Sequence, residues 1–241
     1  MTDQTNWRNY AILCDMDGVI ISLYARWVKP FEDLISRINP DFDREAIIEK
    51  ASSLLLGHGG RNKRIIFRGI KKVCEIGRLT KLQTYRVYVN LLWMVITRYK
   101  FEIVPLDGVE ETLLLLKKKG LRLALVTTAS NYTTKRLKRK YPEIYNQFEY
   151  VLSRNDVQFT KPFPDQLVSA MKKLRVNAEN TVMVGDLITD ILAGKNAGVK
   201  TVAVLSEFPE ITKLLLESVE PDFMINSFTE LPDYLHLIFN K

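Results

Sequence analysis

The chain has 241 residues, 46% of them hydrophobic and 26% charged, the proportions of an ordinary globular protein of one or two domains able to bury a sizeable core. Its longest apolar runs, such as LLWMVI, fall far short of the roughly 20 residues a membrane span needs, and the start MTDQTNWRNY has no secretory pattern, so no membrane partner and a cytoplasmic address are expected. Cys14 and Cys74 have neither the number nor the spacing of a disulfide framework or a zinc site, while a net charge of +7 with a pI near 9.3 favours anionic partners.

In chain order, the first predicted element is the apolar strand AILCD, followed by a second acid at Asp17 and by Gly18. Strand side chains alternate, so Asp15 and Asp17 at spacing two project toward the same side, and Gly18 lets the chain turn sharply. Two carboxylates so close repel each other, and a divalent cation would remove that penalty. Residues 22–100 then read as helices, in WVKPFEDLISRI, REAIIEKASSLLL and KLQTYRVYVNLLWMVITRY, with almost no convincing strand. From Arg61 to Lys100 this stretch carries eleven basic residues against the single acid Glu75.

Beyond VPLDGV, where a proline and a glycine punctuate Val104 to Gly108, helices and strands alternate. The helix GVEETLLLLKKKG ends at Gly120 and leads into the strand LRLALVT; FEYVLS, TVMVGD, VKTVAVL and PDFMI are further strands, separated by the helical PDQLVSAMKKL, DILAGKNAG and EITKLLLESV. The basic clusters KKK at 117 to 119 and KRLKRK at 135 to 140 fit solvated helix faces. The fold class implied is α/β: a Rossmann-like parallel sheet flanked by helices, formed by residues 1–21 and 101–241, with residues 22–100 as an inserted α-helical domain. Functional groups are expected at the carboxyl ends of the strands. TVMVGDLITD places Asp186 and Asp190 there, four apart, as the first turn of a helix sets side chains on one face. Taken singly, each acid pair also fits a helix N-cap or a turn.

DMDGV, LVTT, the lysine of TKPFPD and GDLITD, in this order and each beside its expected strand or helix, resemble the four motifs of the haloacid dehalogenase (HAD) superfamily. VPLDGVEETLLLLKKKG and ILAGKNAGVKTVAVL are similar to its phosphoglycolate-phosphatase and β-phosphoglucomutase branch, in which a helical cap follows the first motif. The resemblance implies phosphoryl transfer through an aspartyl phosphate. Asp15 would be the nucleophile, and Asp17 would protonate the leaving oxygen and then activate water. Mg²⁺ would be held by Asp15, the Asp17 carbonyl and Asp186, with Asp190 supporting that shell. Thr127 and the Thr128 N–H would bind phosphate oxygens, and Lys161 would neutralise charge shared between Asp15 and the phosphate. The dehalogenases of the superfamily lack the second aspartate of DMDGV, so Asp17 argues for phosphate chemistry.

Substrate choice is expected in the cap, in the loop LLLGHGGRNKR, where Arg61, Lys63 and Arg64 would contact a carboxylate or second phosphate of a small phosphorylated substrate. The lone His58 beside them fits a turn or packing residue. Ser22 stands where many members of the branch carry an acid. The preferred reading is a Mg²⁺-dependent phosphatase acting on a phosphoglycolate- or sugar-phosphate-like metabolite. The alternatives are a phosphoglucomutase-like phosphotransferase, and a nucleic-acid-binding or end-processing protein that uses the basic surface. For the latter, Tyr85, Tyr88, Trp93 and Tyr99 have spacings that suit a helix core as well as a stacking platform.

Overall fold

Six segments too apolar to leave either face in water pair into one parallel sheet: β1 (Ala11–Cys14), β2 (Arg122–Val126), β3 (Tyr150–Leu152), β4 (Thr181–Gly185), β5 (Lys200–Val204) and β6 (Phe223–Ile225). These are the six predicted strands. The computed structural model describes residues 7–41, 43–58, 63–97 and 102–239. Its helices are α1 (Lys29–Ile38), α2 (Arg44–His58), α3 (Lys63–Ile76), α4 (Lys81–Thr97), α5 (Val109–Lys118), α6 (Asn131–Lys140), α7 (Pro142–Tyr145), α8 (Asp165–Leu174), α9 (Ile188–Asn196), α10 (Pro209–Glu217) and α11 (Leu231–Ile238). The chain divides into two units, Met1–Ser22 with Pro105–Lys241, and Leu23–Val104.

In the first unit the strands run in the order β3-β2-β1-β4-β5-β6. Ala11, Leu13, Ala124, Val126 and Met183 pack on one face of the sheet with Leu167, Ala170, Met171 and Leu174 of α8 and Ala193 of α9. Alternation sends Ile12, Cys14, Leu123, Leu125, Val182 and Val184 to the opposite face, where they are equally buried. Burying each large aliphatic side chain contributes roughly 1.5–3 kcal/mol, which holds β1 at the centre of the sheet. Because β2 leaves β1 on one side and β4 pairs on the other, the order reverses at β1, and the chain segments leaving β1, β2 and β4 meet at one edge. The basic clusters lie as expected: Lys117, Lys118, Lys138, Arg139 and Lys140 are exposed in the last turns of α5 and α6, where cations favour the helix dipole.

The second unit begins with a π-helical turn, Tyr24–Val28, and continues through α1 to α4. Ile35, Ile47 and Val73 form one buried cluster; Ile70, Cys74 and Val87 form another, with Leu34, Ile38, Leu79 and Tyr88 packed against it. Cys74 is thus a core thiol, as expected. The start of α4 follows from TKLQ: the Thr80 N–H donates to Gln83 Oε1 at 2.8 Å and the Gln83 N–H donates back to Thr80 Oγ1 at 3.3 Å. The helix α3 is not among the helical segments named from sequence, because its lysines and arginines draw attention from Ile70, Val73 and Cys74, which recur at helical spacing. Of the expected cap loop, α2 takes the residues up to His58 and α3 begins at Lys63. Arg61 and Tyr99 lie outside the described residues, as do the side chains of His58, Lys63 and Arg64.

Candidate active site

Asp15 is the first residue past β1, and its N–H still donates to the Val184 carbonyl at 2.9 Å, so the strand ladder fixes where its side chain starts. The chain then turns within three residues. Gly18 adopts φ +77°, its N–H donates to the Ile21 carbonyl at 2.8 Å, and the Met16 carbonyl accepts from the N–H groups of Ile20 and Ile21. A side chain at Gly18 would place its Cβ 1.9 Å from Asp186 Oδ2, so glycine is required both for the turn and for the approach of Asp186. Gly18→Ala is therefore expected to displace Asp186 and destabilise the fold, measured as a lower thermal midpoint together with loss of any stabilisation by added divalent cation.

Asp186 follows β4, and Asp190 sits in the first turn of α9, where its Oδ2 accepts the Leu187 N–H at 3.0 Å. Asp15, Asp186 and Asp190 each offer a carboxylate oxygen within 4.8 Å of the others, and all three are buried. Asp17 is half-buried and its carboxylate is not part of this trio. Lys161, only 2% exposed, reaches the trio from the loop before α8. Its Nζ lies 2.5 Å from Asp15 Oδ1 and 2.6 Å from Asp190 Oδ1, and it donates to the Val126 carbonyl at 2.9 Å. That loop is tied to α9 by Asn196, whose Nδ2 donates to the Pro162 carbonyl at 2.9 Å.

One ammonium among three carboxylates leaves an excess of buried negative charge. Burial pushes the Asp15 carboxyl up from 3.8 to about 7, against the opposing pull of Lys161, and the charges of Asp190 and Asp17 raise it further. Burial, then Asp190 and Asp15, raise Asp186 well above the ordinary carboxylate range. Burial works to lower the Lys161 pKa, but Asp15 and Asp190 together outweigh it and the ammonium is held charged. Cys14 is fully buried on the sheet, and burial pushes its thiol upward, so it serves as core rather than nucleophile. Asp186 Oδ1 is buried and, among the described residues, accepts no hydrogen bond. A hard divalent cation fits such a set: it would supply charge to three acids and a partner to that oxygen.

Thr127 follows β2, its N–H donating to the Leu152 carbonyl at 2.9 Å. Its Oγ1 accepts the Ala129 N–H at 3.0 Å, which leaves the hydroxyl proton to donate outward. Thr128 is exposed in the loop that leads to α6. Two residues went unseen in the sequence. Gln166, completely buried in α8, donates from Nε2 to the Thr127 carbonyl at 2.9 Å and so holds the loop after β2. Glu207, from the loop after β5, accepts at 2.6 Å from the hydroxyl of Ser22, so a carboxylate from far along the chain reaches Ser22. Neither carries a local signal, since both act through partners remote in sequence.

The buried acids thus gather where the strand order of a parallel α/β sheet reverses, the place at which such folds carry their functional groups. Residues 12–204 match the haloacid dehalogenase-like hydrolases, and the chain belongs to that family. The pyrophosphatase PpaX of Anoxybacillus flavithermus is 29% identical over 223 residues, covering 91% of this chain and 94% of that one. Among solved structures, a HAD family hydrolase of Deinococcus radiodurans R1, with bound phosphate and sodium, is similar with a TM-score of 0.72 and 18% identity over 96% of each chain. A predicted phosphoglycolate phosphatase of Haemophilus somnus 129pt is similar with a TM-score of 0.66 and 18% identity, over 95% of this chain and 98% of that one. At such identities the structural likeness concerns the fold.

Proposed function

We propose that this hydrolase is a Mg²⁺-dependent phosphatase that removes phosphate from a small phosphorylated metabolite through an aspartyl phosphate on Asp15. The observation that carries this reading is the buried trio Asp15, Asp186 and Asp190 with Lys161 bridging two of them beyond the carboxyl ends of the central strands β1 and β4. Asp15 attacks phosphorus through a carboxylate oxygen, and the bond to the leaving oxygen breaks as Asp17 gives it a proton. Asp17, now a carboxylate, takes a proton from water; the hydroxide oxygen bonds to phosphorus and the bond to Asp15 breaks, releasing inorganic phosphate. Lys161 compensates charge on Asp15 and the phosphate, while the hydroxyl of Thr127 donates to a phosphate oxygen, with Thr128 beside it. Asp15, the carbonyl of Asp17, and Asp186 would hold Mg²⁺, with Asp190 fixing the arrangement. When bound, the ion lets an anionic nucleophile approach an anionic phosphate.

Arg61, Lys63 and Arg64 are proposed to read the rest of the substrate. The likeness to a pyrophosphatase over most of the chain adds pyrophosphate to phosphoglycolate and sugar phosphates as candidates. The test is phosphate release from a panel of these compounds with Mg²⁺, with Asp15→Asn protein as the blank. Release concentrated on one or two compounds supports the reading; turnover that persists undiminished in the Asp15→Asn protein removes it. Product analysis for a relocated phosphoryl group separates phosphatase from mutase.

The acids also make a prediction in pH. A carboxyl with a folded pKa above its unfolded value binds its proton more tightly in the folded chain. Stability from Asp15 is therefore lost as pH rises from about 4 through about 7 in the cation-free protein. Added Mg²⁺ is expected to raise the thermal midpoint more at pH 8 than at pH 5, and Asp186→Asn should flatten that difference. Equal shifts at both pH values would count against cation binding by these carboxylates.

A further inference from the structure

We propose that the exposed face of α4 is a peripheral docking surface for anionic lipid. Between Leu23 and Val104 the chain has sixteen basic residues against eight acidic, a net +8, so the remaining sequence is nearly neutral at −1 and the whole charge excess belongs to this unit. On α4, Leu82, Tyr85, Val89 and Trp93 are 66%, 66%, 46% and 53% exposed. At 3.6 residues per turn these four fall within about 80° of arc along about 17 Å of helix, and exposed Lys81 and Arg86 border that arc on its two sides. Outside that arc, among the described side chains, Val87 is buried in the unit's own core and Tyr88 packs against it. Other exposed apolar side chains among the described residues form smaller groups, Phe159 with Phe163 before α8 and Leu114 with Leu115 on α5, or stand singly, as Leu214 and Leu237 do.

An amphipathic helix that presents Trp, Tyr, Leu and Val between cations has the chemistry of the lipid headgroup boundary, where the apolar stripe enters and the cations meet phosphates. A second copy of the chain is disfavoured, because pairing this face with itself sets two strongly cationic units together. A polynucleotide would use the cations, but Leu82 and Val89 offer no ring on which a base stacks. Among the described residues no helix is long and apolar enough to cross a membrane. The expectation of no membrane partner rested on that criterion, which a helix lying on the surface does not meet or need.

The intact protein is sedimented with vesicles of phosphatidylcholine alone and of phosphatidylcholine with one-third phosphatidylglycerol. Partition into the anionic vesicles only, weakening as salt is raised, is expected, with a blue shift of emission that disappears in Trp93→Phe protein. Lys81→Glu with Arg86→Glu should lower partition at least about 25-fold, at roughly fivefold for each cation removed. Leu82→Gln with Val89→Gln should also lower it, and both exposed pairs should keep the wild-type circular dichroism. Equal partition into neutral vesicles, no partition into either kind, or no effect of the substitutions overturns the proposal. So does a concentration-dependent dimer abolished by Leu82→Gln with Val89→Gln, which would make the occupant a second copy, or DNA retention lost with Lys81→Glu and Arg86→Glu while vesicles do not bind.

Discussion

Asp15→Asn is expected to leave the protein folded and to lower phosphate release by more than about 10⁴-fold, because an amide oxygen is too weak a nucleophile to form the acyl phosphate. The substitution keeps the size of the side chain while removing one of three mutually repelling buried acids, and burial already drives the Asp15 carboxyl to about 7. Lys161 retains Asp190 at 2.6 Å, so its charge is not stranded. The thermal midpoint of the cation-free variant should therefore equal or exceed that of the wild type at pH 8. A variant that is inactive because it is unfolded, as judged by circular dichroism, would say nothing for a nucleophile and would contradict this electrostatic account of the site.

Lys161→Met is expected to have the largest effect on stability. The side chain is 2% exposed and supplies the cation within hydrogen-bonding distance of both Asp15 and Asp190. Removing one partner of a buried ion pair costs about 3–5 kcal/mol, since the other remains buried without compensation. For a chain of this size each kcal/mol corresponds to about 2–4 °C, so the midpoint should fall by about 6–20 °C. The sign with pH follows from the same carboxyls. Without Lys161 the pull that opposes burial at Asp15 is gone, its carboxyl titrates still higher, and protonation relieves the penalty. The deficit relative to wild type should therefore be larger at pH 8 than at pH 5, and a deficit that grows toward acid pH would show that Lys161 stabilises by packing.

The sheet was legible because buried parallel strands are short, continuous apolar runs whose ends are marked by glycine, acid or threonine. AILCD and TVMVGD show both features, and the acids that end them are the ones brought together within 4.8 Å. Asp15, Asp186 and Asp190 could be named because a carboxylate at the end of such a run is costly without a purpose. Thr127 and Lys161 drew meaning only from their order beside those acids. What stayed hidden depends on contacts between distant positions: Gln166 holds a carbonyl 39 residues away, and Ser22 meets Glu207 across 185. The helix α3 was obscured for a different reason, since five cations in fourteen residues dilute the apolar stripe that packs against its neighbours.

Phosphoryl transfer through Asp15 leaves a covalent intermediate that can be trapped. Asp17→Asn protein, slowed at the step that activates water, is mixed with a radiolabelled phosphate ester bearing a good leaving group, quenched in acid and digested. Label is expected on the peptide that contains Asp15, stable in acid and released by hydroxylamine as an acyl phosphate. Turnover by wild-type protein with no label on that peptide, or label on any other residue, would contradict transfer through Asp15.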